Sequence, residues 1–360
     1  MPKLPLRVGV LSFAHYHANF WSEVFAARGV LAGVWDDDIA RGQDAAARFG
    51  TTHHASLDGL LERCSAVAVC SETSRHAELV EAAARHSVAV LCEKPLGTSL
   101  ADCERIVRTV EQQALWFMQS FPKRFDPATQ RLREAVRTDE LGRVTLARVR
   151  HGHFYGLQPD FRERWYVRRA LSGGGALLDE GVHAADLLAH LFGMPHSVVA
   201  QTSSQTLGLE VEDLGVAVYR WPSGLIGEIA SSFTFAAADT SVELYGTRGT
   251  LLLAGVDLAS RDITSERYLR RYVTGSRSGL GSNPGSDSRM GADPAVRVWD
   301  ALDLVPRFKI GQFHHQNAIA FVDALERRDP PPIPVTDGLR AGRMIDAAYR
   351  AAASGARVDV

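Results

Sequence analysis

Long apolar runs, blocks of like charge and paired cysteines are all missing from this sequence of 360 residues. The longest apolar stretches, such as Ala66–Cys70 and Val88–Cys92, are strand-sized and far short of the roughly 20 residues that cross a bilayer. The 40 basic and 42 acidic residues are mixed along the chain, which argues against a nucleic-acid surface. We therefore expect a globular protein that neither spans a membrane nor binds nucleic acid.

We also expect no secretory leader, and the sequence contains no cysteine motif. The N-terminal apolar run has no small-residue cleavage site after it, and none of the four cysteines forms a CxxC pair. The cysteines are Cys64, Cys70, Cys92 and Cys103. We expect them to be reduced, buried thiols in a cytoplasmic protein.

The first 120 or so residues alternate short apolar runs with helix-like segments, the pattern of a parallel sheet covered on both faces. The predicted strands are Arg7–Leu11, Val30–Trp35, Ala66–Cys70, Val88–Cys92 and Leu115–Gln119. The predicted helices are Ala18–Arg28, Ala40–Phe49, His76–Arg85 and Leu100–Glu111. This pattern predicts an α/β Rossmann-type domain, with a doubly wound parallel sheet, over residues 1–122.

Longer alternating stretches follow Gly142, and they are typical of a large, open, mostly antiparallel sheet. The predicted strands are Thr145–Phe154, Asp213–Trp221, Leu225–Phe235 and Ser241–Tyr245, and the predicted helices are Ala176–Leu191, Phe313–Arg327 and Gly338–Ala353. We expect residues 123–360 to form an α+β domain whose last helices pack back on the first domain. The Gly- and Ser-rich segment Gly275–Pro294 predicts a mobile loop or flap.

The turn after the first strand is where a dinucleotide pyrophosphate would bind, on backbone amides and a helix N-terminus. Ser12, Ala14 and His17 occupy the three glycine positions of the GxGxxG fingerprint, so the fingerprint is absent. Ser12 and Ala14 still permit close backbone approach, and His15 or His17 could donate to a phosphate oxygen. The alternative, that these histidines only fill and cap the turn, stays open.

Acidic residues end the second strand, about 20 residues beyond the turn, where a carboxylate would accept hydrogen bonds from an adenosine ribose. Asp36 is the best placed, followed by Asp37. A phosphate on that ribose would meet these carboxylates with no adjacent Arg or Lys, so NAD is favoured over NADP. The alternative is a simple helix N-cap.

Two separated motifs carry a family resemblance. Glu93-Lys94-Pro95 follows the fourth strand, and a glycine-rich segment from Gly173 leads into a helix with Asp179 and, four residues on, His183. Both motifs resemble those of the glucose-fructose oxidoreductase, inositol dehydrogenase and rhizopine-catabolism (Gfo/Idh/MocA) family. The resemblance covers nearly the whole chain and departs from the family at the glycine-poor turn and at Ser71-Glu72-Thr73.

The resemblance implies a nicotinamide-dependent oxidoreductase that acts on a secondary alcohol or carbonyl of a sugar, polyol or sugar acid, as a homodimer or homotetramer. The implied catalytic residues are Lys94, His183 and Asp179. The expected cofactor-binding residues are Ser12, Phe13, Ala14, His15, His17, Asp36, Asp37, Ser71, Glu72, His76, Glu93 and Lys94. The expected substrate-binding residues are Arg124, Tyr155, Arg164, Trp165 and Asp179.

The chemistry of the second motif can be argued from the residues themselves. Asp179 and His183 stand at i and i+4, so a single helix would present both on one face. Hydride transfer needs a group that takes or gives the hydroxyl proton, which suits His183, while Lys94 could polarise the same oxygen. The alternative is an exposed helix start with a solvated Asp and a satisfied His.

Arginine and histidine clusters complete the candidates. The basic, aromatic segment Arg162–Arg169 either binds a carboxylated substrate or forms a solvated face or a subunit contact. The pairs His15/His17, His53/His54 and His314/His315 lack the spacing of a known metal motif, so we expect surface or turn histidines and no metal. Two other functions remain: a redox-neutral enzyme that recycles tightly bound NAD, and a non-catalytic dinucleotide sensor.

Overall fold

A parallel sheet of five strands forms the first domain of the computed structural model, which describes residues 5–236, 240–256, 269–273, 300–302 and 311–360. The strands are β1 (Val8–Leu11), β2 (Leu31–Trp35), β3 (Ala66–Val69), β4 (Ala89–Cys92) and β5 (Phe117–Gln119). The helices are α1 (His17–Ala27), α2 (Ile39–Phe49), α3 (Leu57–Leu61), α4 (His76–Arg85) and α5 (Leu100–Gln112). The strand order β2-β1-β3-β4-β5 reverses between β1 and β3, which places a ligand crevice at their carboxyl ends.

The central strands are buried on both faces because successive side chains point to opposite sides of a strand. Val10 and Ala68 enter one hydrophobic core, while Leu11 and Val69 enter the other. Near-continuous apolar strands are what such a sheet requires. The predicted doubly wound α/β domain is confirmed.

A nine-stranded sheet dominates the described part of the second domain. Its strands are β6 (Val144–His151), β7 (Ser197–Ser203), β8 (Leu214–Arg220), β9 (Ile226–Ser232), β10 (Thr240–Gly246), β11 (Gly249–Val256), β12 (Leu269–Val273), β13 (Asp300–Leu302) and β14 (Val358–Asp359). The helices are α6 (Pro127–Arg137), α7 (Arg169–Ser172), α8 (Ala176–Asp179), α9 (Gly181–Phe192), α10 (Gly311–Arg327) and α11 (Val335–Ser354). The order is β13-β12-β11-β10-β6-β9-β8-β7-β14, and only the β6–β9 pair in it is parallel, which confirms the predicted sheet.

Helices α10 and α11 return to the first domain. The indole of Trp116 donates to the carbonyl of Asp329 at 2.9 Å, and the amide of Gln119 at the end of β5 donates to the carbonyl of Ile333 at 2.9 Å. Helix α10 packs on α1, and α11 packs on both α5 and α9. The last helices therefore tie the two domains together. The division at residues 122 and 123 stays a prediction.

One segment predicted as a single helix is interrupted in the structure. The segment predicted as Ala176–Leu191 is two helices, α8 and α9, which meet at Glu180. The argument that Asp179 and His183 share one face of a single helix therefore does not hold, and their placement rests on the junction. The segment 275–294 lies outside the described residues.

The thiols agree with the expected chemistry. All four cysteines are free, and Cys70, Cys92 and Cys103 are buried while Cys64 is half-buried. Burial raises the pKa of these four thiols, so they stay protonated and unreactive at neutral pH. Among the described residues, no helix has the length and apolar character to cross a bilayer.

Candidate active site

A pocket at the carboxyl edge of the parallel sheet faces the second domain. Six of the thirteen histidines line it: His15, His17, His151, His153, His183 and His314. Lys94, Asp179, Glu180, Tyr155, Tyr166 and Arg164 also line it. The turn before α1, the end of β4, the end of β6, the α8–α9 junction and the first turn of α10 thus meet at one place.

Lys94 lies at the centre of the charged groups in this pocket. Its Nζ donates to Asp179 Oδ1 at 2.6 Å and to the Asp179 carbonyl at 2.9 Å, and it lies 4.0 Å from Glu180 Oε1. Burial alone would lower the pKa of Lys94, but Asp179, Glu180 and Glu93 outweigh it and raise that pKa. Lys94 is therefore a fixed, fully charged donor at neutral pH.

The helix break places Glu180 between Lys94 and two histidines. Glu180 Oε2 lies 2.8 Å from His151 Nδ1, and its Oε1 lies 3.7 Å from His153 Nε2. Burial alone would raise the pKa of Glu180, but His151, Lys94 and His153 outweigh it and hold that pKa well below its usual value. The pocket therefore contains a permanent carboxylate beside a permanent ammonium.

His183 faces the same pocket from the first turn of α9. Its ring packs against the ring of His151 in a tilted arrangement, with centroids 4.7 Å apart. Burial, His151 and Lys94 hold the pKa of His183 well below its usual value. Its Nδ1 is buried without a hydrogen bond to any described residue. His183 is thus neutral at physiological pH and able to accept a proton.

Steric crowding explains why glycine is needed in the segment from Gly173 that precedes α8. Glu212 Oε1 accepts hydrogen bonds from the amides of Gly175 and Leu177, both at 3.0 Å, and from the hydroxyl of Tyr349 at 2.6 Å. A Cβ on Gly175 would lie 1.9 Å from the Glu212 carbonyl oxygen, so only glycine fits. Glu212 therefore fixes the start of α8 and, through it, the position of Asp179.

The turn after β1 is tightly held. Asp36, buried at the end of β2, accepts from the Phe13 amide at 2.7 Å and from the Asp38 amide at 3.0 Å. Ser12 adopts a φ of 72°, and its hydroxyl accepts from the Ala14 amide at 3.2 Å. The small side chains at the first two glycine positions therefore do allow a close turn, at the cost of one residue in a left-handed conformation.

Two arginines lie at the end of β2, which corrects the expectation of no adjacent basic residue. Arg41 binds Asp36 through Nε at 2.8 Å and Nη2 at 2.7 Å, and Arg75 Nη1 lies 2.6 Å from Asp37. Burial alone would raise the pKa of Asp36, but Arg41 and the Phe13 amide outweigh it and lower that pKa. The sequence argument missed Arg41 because it searched the strand end and not the helix that follows.

His15 and His17 point inward and do not lie on the surface. Their rings are 4.1 Å apart, and His17 stacks on His314 with centroids 3.6 Å apart. Glu93, at the end of β4, is fully buried, and its Oε1 lies 3.2 Å from His17 Nδ1. His15 lies in the turn, as predicted, but is buried there, whereas His17 and His314 are buried in helices, so their predicted surface or turn placement is wrong. His315 is partly exposed and pairs with Glu23.

The other predicted residues divide into two groups. Tyr155 and Arg164 line the pocket, but Arg124 binds Asp186 and Asp337 instead and is not among the lining residues. Trp165 donates from its indole to the Ala14 carbonyl at 3.0 Å and stacks on Tyr166, so it covers the turn.

Three residues predicted to bind the cofactor, Ser71, Glu72 and His76, follow strand β3. His76 Nδ1 lies 3.0 Å from the carbonyl of Pro95, which fixes the loop after Lys94. Ser71 is buried, and its hydroxyl donates to the carbonyl of Glu72. The carboxylate of Glu72 lies 3.8 Å from Arg41.

Models of known families match both domains. Residues 6–121 match the oxidoreductase family with an NAD-binding Rossmann fold, and residues 129–252 match the Gfo/Idh/MocA C-terminal domain. The chain belongs to the Gfo/Idh/MocA family. The family resemblance drawn from Glu93-Lys94-Pro95 and the glycine-rich segment is confirmed.

Relatives within the Gfo/Idh/MocA family include named sugar and polyol enzymes. A 1,5-anhydro-D-fructose reductase of Ensifer adhaerens is 33% identical over 189 residues, which are 52% of this chain and 56% of the relative. A myo-inositol 2-dehydrogenase of Thermotoga maritima is 30% identical over 216 residues, 58% of this chain and 62% of the relative. The aligned regions thus span little more than half of each relative.

Solved structures of similar fold extend over the whole chain. The GenD2 protein of gentamicin A biosynthesis, in complex with NAD, superposes with a TM-score of 0.79 and 24% identity, covering 100% of this chain and 97% of that one. This likeness shows the two-domain fold.

Within this Gfo/Idh/MocA chain, sequence reasoning missed Glu180, His151, His153 and Arg41. The sequence could have indicated His151 and His153, because residues two apart at the end of a strand point to the same face. It could not have indicated Glu180, since Glu180 was predicted to be an interior residue of one helix. His314 was noted only as half of a pair.

Proposed function

We propose that this chain is an NAD-dependent dehydrogenase or reductase that moves a hydride between nicotinamide and a secondary alcohol or carbonyl carbon of a sugar, polyol or sugar acid. The observation that carries the proposal is the charged Lys94, fixed at 2.6 Å from Asp179, in one pocket with the neutral His183. The named activities of the relatives, reductase and dehydrogenase, support it more than they support recycling in place or a sensor.

The adenosine end of the crevice fits a dinucleotide. Small Ser12 and Ala14 shape the turn, and Glu72 Oε2 is buried without a hydrogen bond to described residues, as an acceptor for a ribose hydroxyl would be. Arg41 and Arg75 neutralise the nearby carboxylates and offer donors to phosphate or ribose oxygens. NAD, when bound, supplies the hydride acceptor at the nicotinamide ring.

The protein's own groups handle the oxygen of the substrate. Lys94 donates a hydrogen bond to that oxygen and stabilises the negative charge that develops as its proton leaves. His183 accepts the proton in oxidation and returns it in reduction, since its ring is neutral. Asp179 accepts a hydrogen bond from a neighbouring hydroxyl and keeps Lys94 in place.

The preference for NAD rests on the charge at the end of β2. Asp36 already accepts from two amides and from both donor groups of Arg41, and Asp37 and Glu72 add two more carboxylates against Arg41 and Arg75. A 2′-phosphate would add two negative charges to a site with three carboxylates and two guanidiniums. NADH is therefore expected to bind more tightly than NADPH.

The proposal extends to a sugar-acid substrate, a homo-oligomeric assembly and a cytoplasmic location. Arg164, half-buried at the pocket rim beside Asp160, is placed to bind the carboxylate of a sugar acid. Exposed Val199 and Ile226 on the large sheet fit burial in a homodimer or homotetramer. The free thiols suit a reducing cytoplasm.

Titration of the purified chain with NADH and NADPH, followed by nicotinamide fluorescence, tests the proposal first. Tighter binding of NADH, weakened about tenfold or more by Asp36→Ala, is expected because this change loosens the turn. Turnover of a panel of polyols and keto-sugars is then measured by absorbance of NADH. A chain that binds neither dinucleotide contradicts the proposal.

A further inference from the structure

Glu180 lies between two histidines near the end of β6 and sets a different tautomer in each. Its Oε2 lies 2.8 Å from His151 Nδ1, and its Oε1 lies 3.7 Å from His153 Nε2. Burial outweighs Glu180 and lowers the pKa of both rings, which are therefore neutral at neutral pH. An ionised carboxylate can only accept, so the proton of each ring lies on the nitrogen that faces it: Nδ1 in His151 and Nε2 in His153.

The second nitrogen of each ring meets a different environment. His153 Nδ1 accepts from the Tyr155 amide at 3.2 Å. His151 Nε2 is buried without a hydrogen bond to any described residue, in a side chain that lines the pocket and belongs to a residue only 5% exposed. Buried polar groups are almost always satisfied, so this acceptor at the pocket wall indicates a donor that the protein chain does not supply.

His183 is not the missing donor. Its ring packs against that of His151 with the planes 31° apart and the centroids separated by 4.7 Å. The N–H groups and lone pairs of an imidazole lie in the plane of the ring, so two rings packed in this way point past each other. Both rings line the same pocket, and one ligand can therefore contact both.

We propose that His151, oriented by Glu180, is a specificity-determining residue that accepts a hydrogen bond from a substrate hydroxyl on the carbon next to the reacting one. The inference rests on the proposed function, in which His183 takes the proton of the reacting hydroxyl. Because the two rings pack together, the oxygens that they bind are neighbours, as the oxygens of adjacent carbinol carbons are. The substrate class is a vicinal diol, and Glu180 is a positioning residue that acts through His151.

A free hydroxyl is the group that suits this wall. A carbonyl or an ether oxygen has no proton to donate to the bare nitrogen of His151. A carboxylate would be repelled by Glu180, and an ammonium group would meet Lys94, whose Nζ already lies 4.0 Å from Glu180. The pair therefore selects against substrates that are deoxygenated or methylated at the neighbouring position.

Two alcohols that differ only in the second hydroxyl, cyclohexane-1,2-diol and cyclohexanol, test this selection. We measure kcat/KM for both with the full chain and NAD, by absorbance of NADH. The unmodified chain should prefer the diol about a hundredfold or more, because cyclohexanol leaves His151 Nε2 unpaired. His151→Phe and Glu180→Gln should each lower this preference about tenfold or more. Any effect of Glu180→Gln on Lys94 changes both rates and cancels from their ratio.

Two further variants distinguish specificity from structure. His153→Phe is the matched control, because His153 contacts the same carboxylate and stacks on Phe233 but has its Nδ1 occupied by the Tyr155 amide. It should leave the preference for the diol unchanged even where the rates fall. His151→Gln, whose amide oxygen can accept in place of Nε2, should recover part of the preference that His151→Phe loses.

Nitrogen NMR separates this inference from the proposed function. In a chain that contains isotopically labelled histidine and is saturated with NADH, the signals lost in His151→Phe identify that ring. Cyclohexane-1,2-diol should shift the Nε2 signal of His151, and cyclohexanol should not. Equal kcat/KM for the two alcohols in the unmodified chain, a preference that survives in His151→Phe, or an Nε2 signal that the diol does not move overturns the role of His151. A shifted signal without turnover contradicts only the proposed function.

Discussion

The two ends of the crevice differ in how their polar groups are satisfied. At the end of β2, Asp36 accepts from two backbone amides and two guanidinium nitrogens, so its charge is fully partnered by the protein. At the end of β4, Glu93 is fully buried, yet neither of its oxygens accepts a hydrogen bond from a described residue. A saturated carboxylate positions the backbone, whereas an unsatisfied one marks where a ligand completes the structure.

Removal of the central cation should have the largest effect on turnover. Lys94→Ala is expected to lower kcat about a thousandfold, because the developing oxyanion loses its main donor. Initial rates of NADH formation measure the loss, and Lys94→Arg, which keeps the charge but not the compact ammonium, should recover only a part. Loss of less than about tenfold in Lys94→Ala would contradict the assigned role.

The pH profile should distinguish a buried base from an exposed one. Burial, His151 and Lys94 lower the pKa of His183, so its ring stays neutral at pH values below 6.5. Alcohol oxidation, which needs the neutral ring, should therefore hold its rate as the pH falls from 8 through 6.5 and decline only in more acidic buffer. His183→Gln should lower kcat about a hundredfold and remove this acidic limb; a limb that persists at 6.5 in both proteins would assign it to another group.

Loss of a saturated carboxylate should instead reduce folding stability. Glu212→Ala removes the acceptor of the Gly175 and Leu177 amides and of Tyr349, and is expected to cost about 2 to 4 kcal/mol. Urea unfolding followed by circular dichroism measures it. Tyr349→Phe, which removes one of these bonds, should cost about 1 kcal/mol, and equal costs would show that the amides contribute nothing.

The smallest effect should come from Arg164 at the rim of the pocket. Arg164→Gln breaks only a surface pair with Asp160, so stability should hardly change. KM for a sugar acid should rise about three- to tenfold while KM for the matching neutral sugar stays constant, since only the acid has a carboxylate to bind. Equal KM changes for both substrates would favour a solvated arginine face.

Local patterns were sufficient for the sheet and for two motifs. Alternation of apolar runs and helical segments located β1 to β5 to within a few residues, because buried parallel strands have a strong local signature. Glu93-Lys94-Pro95 and the run from Gly173 located Lys94 and Asp179, which the structure brings together. The helix break at Glu180 and the ion pairs of Arg124 with Asp186 and Asp337 were not predictable, since both depend on contacts between distant segments.

Histidine spacing could not show which histidines are buried in the pocket, for a related reason. Local spacing describes one helix or loop, but His17, Glu93 and His314 come from three separate elements. Their proximity follows from the sheet order and from α10 packing on α1, which no local window contains.

The return of α10 to the first domain also bears on how the protein is made. Helix α10 begins at Gly311, so the ribosome adds His314 to the pocket only after every strand of the parallel sheet has been made. The N-terminal domain can fold earlier, as domains generally do during translation, but its crevice then lacks one wall. A nascent chain therefore carries a folded first domain before it has a closed pocket, and ligand capture would report that α10 has been made and has packed on α1.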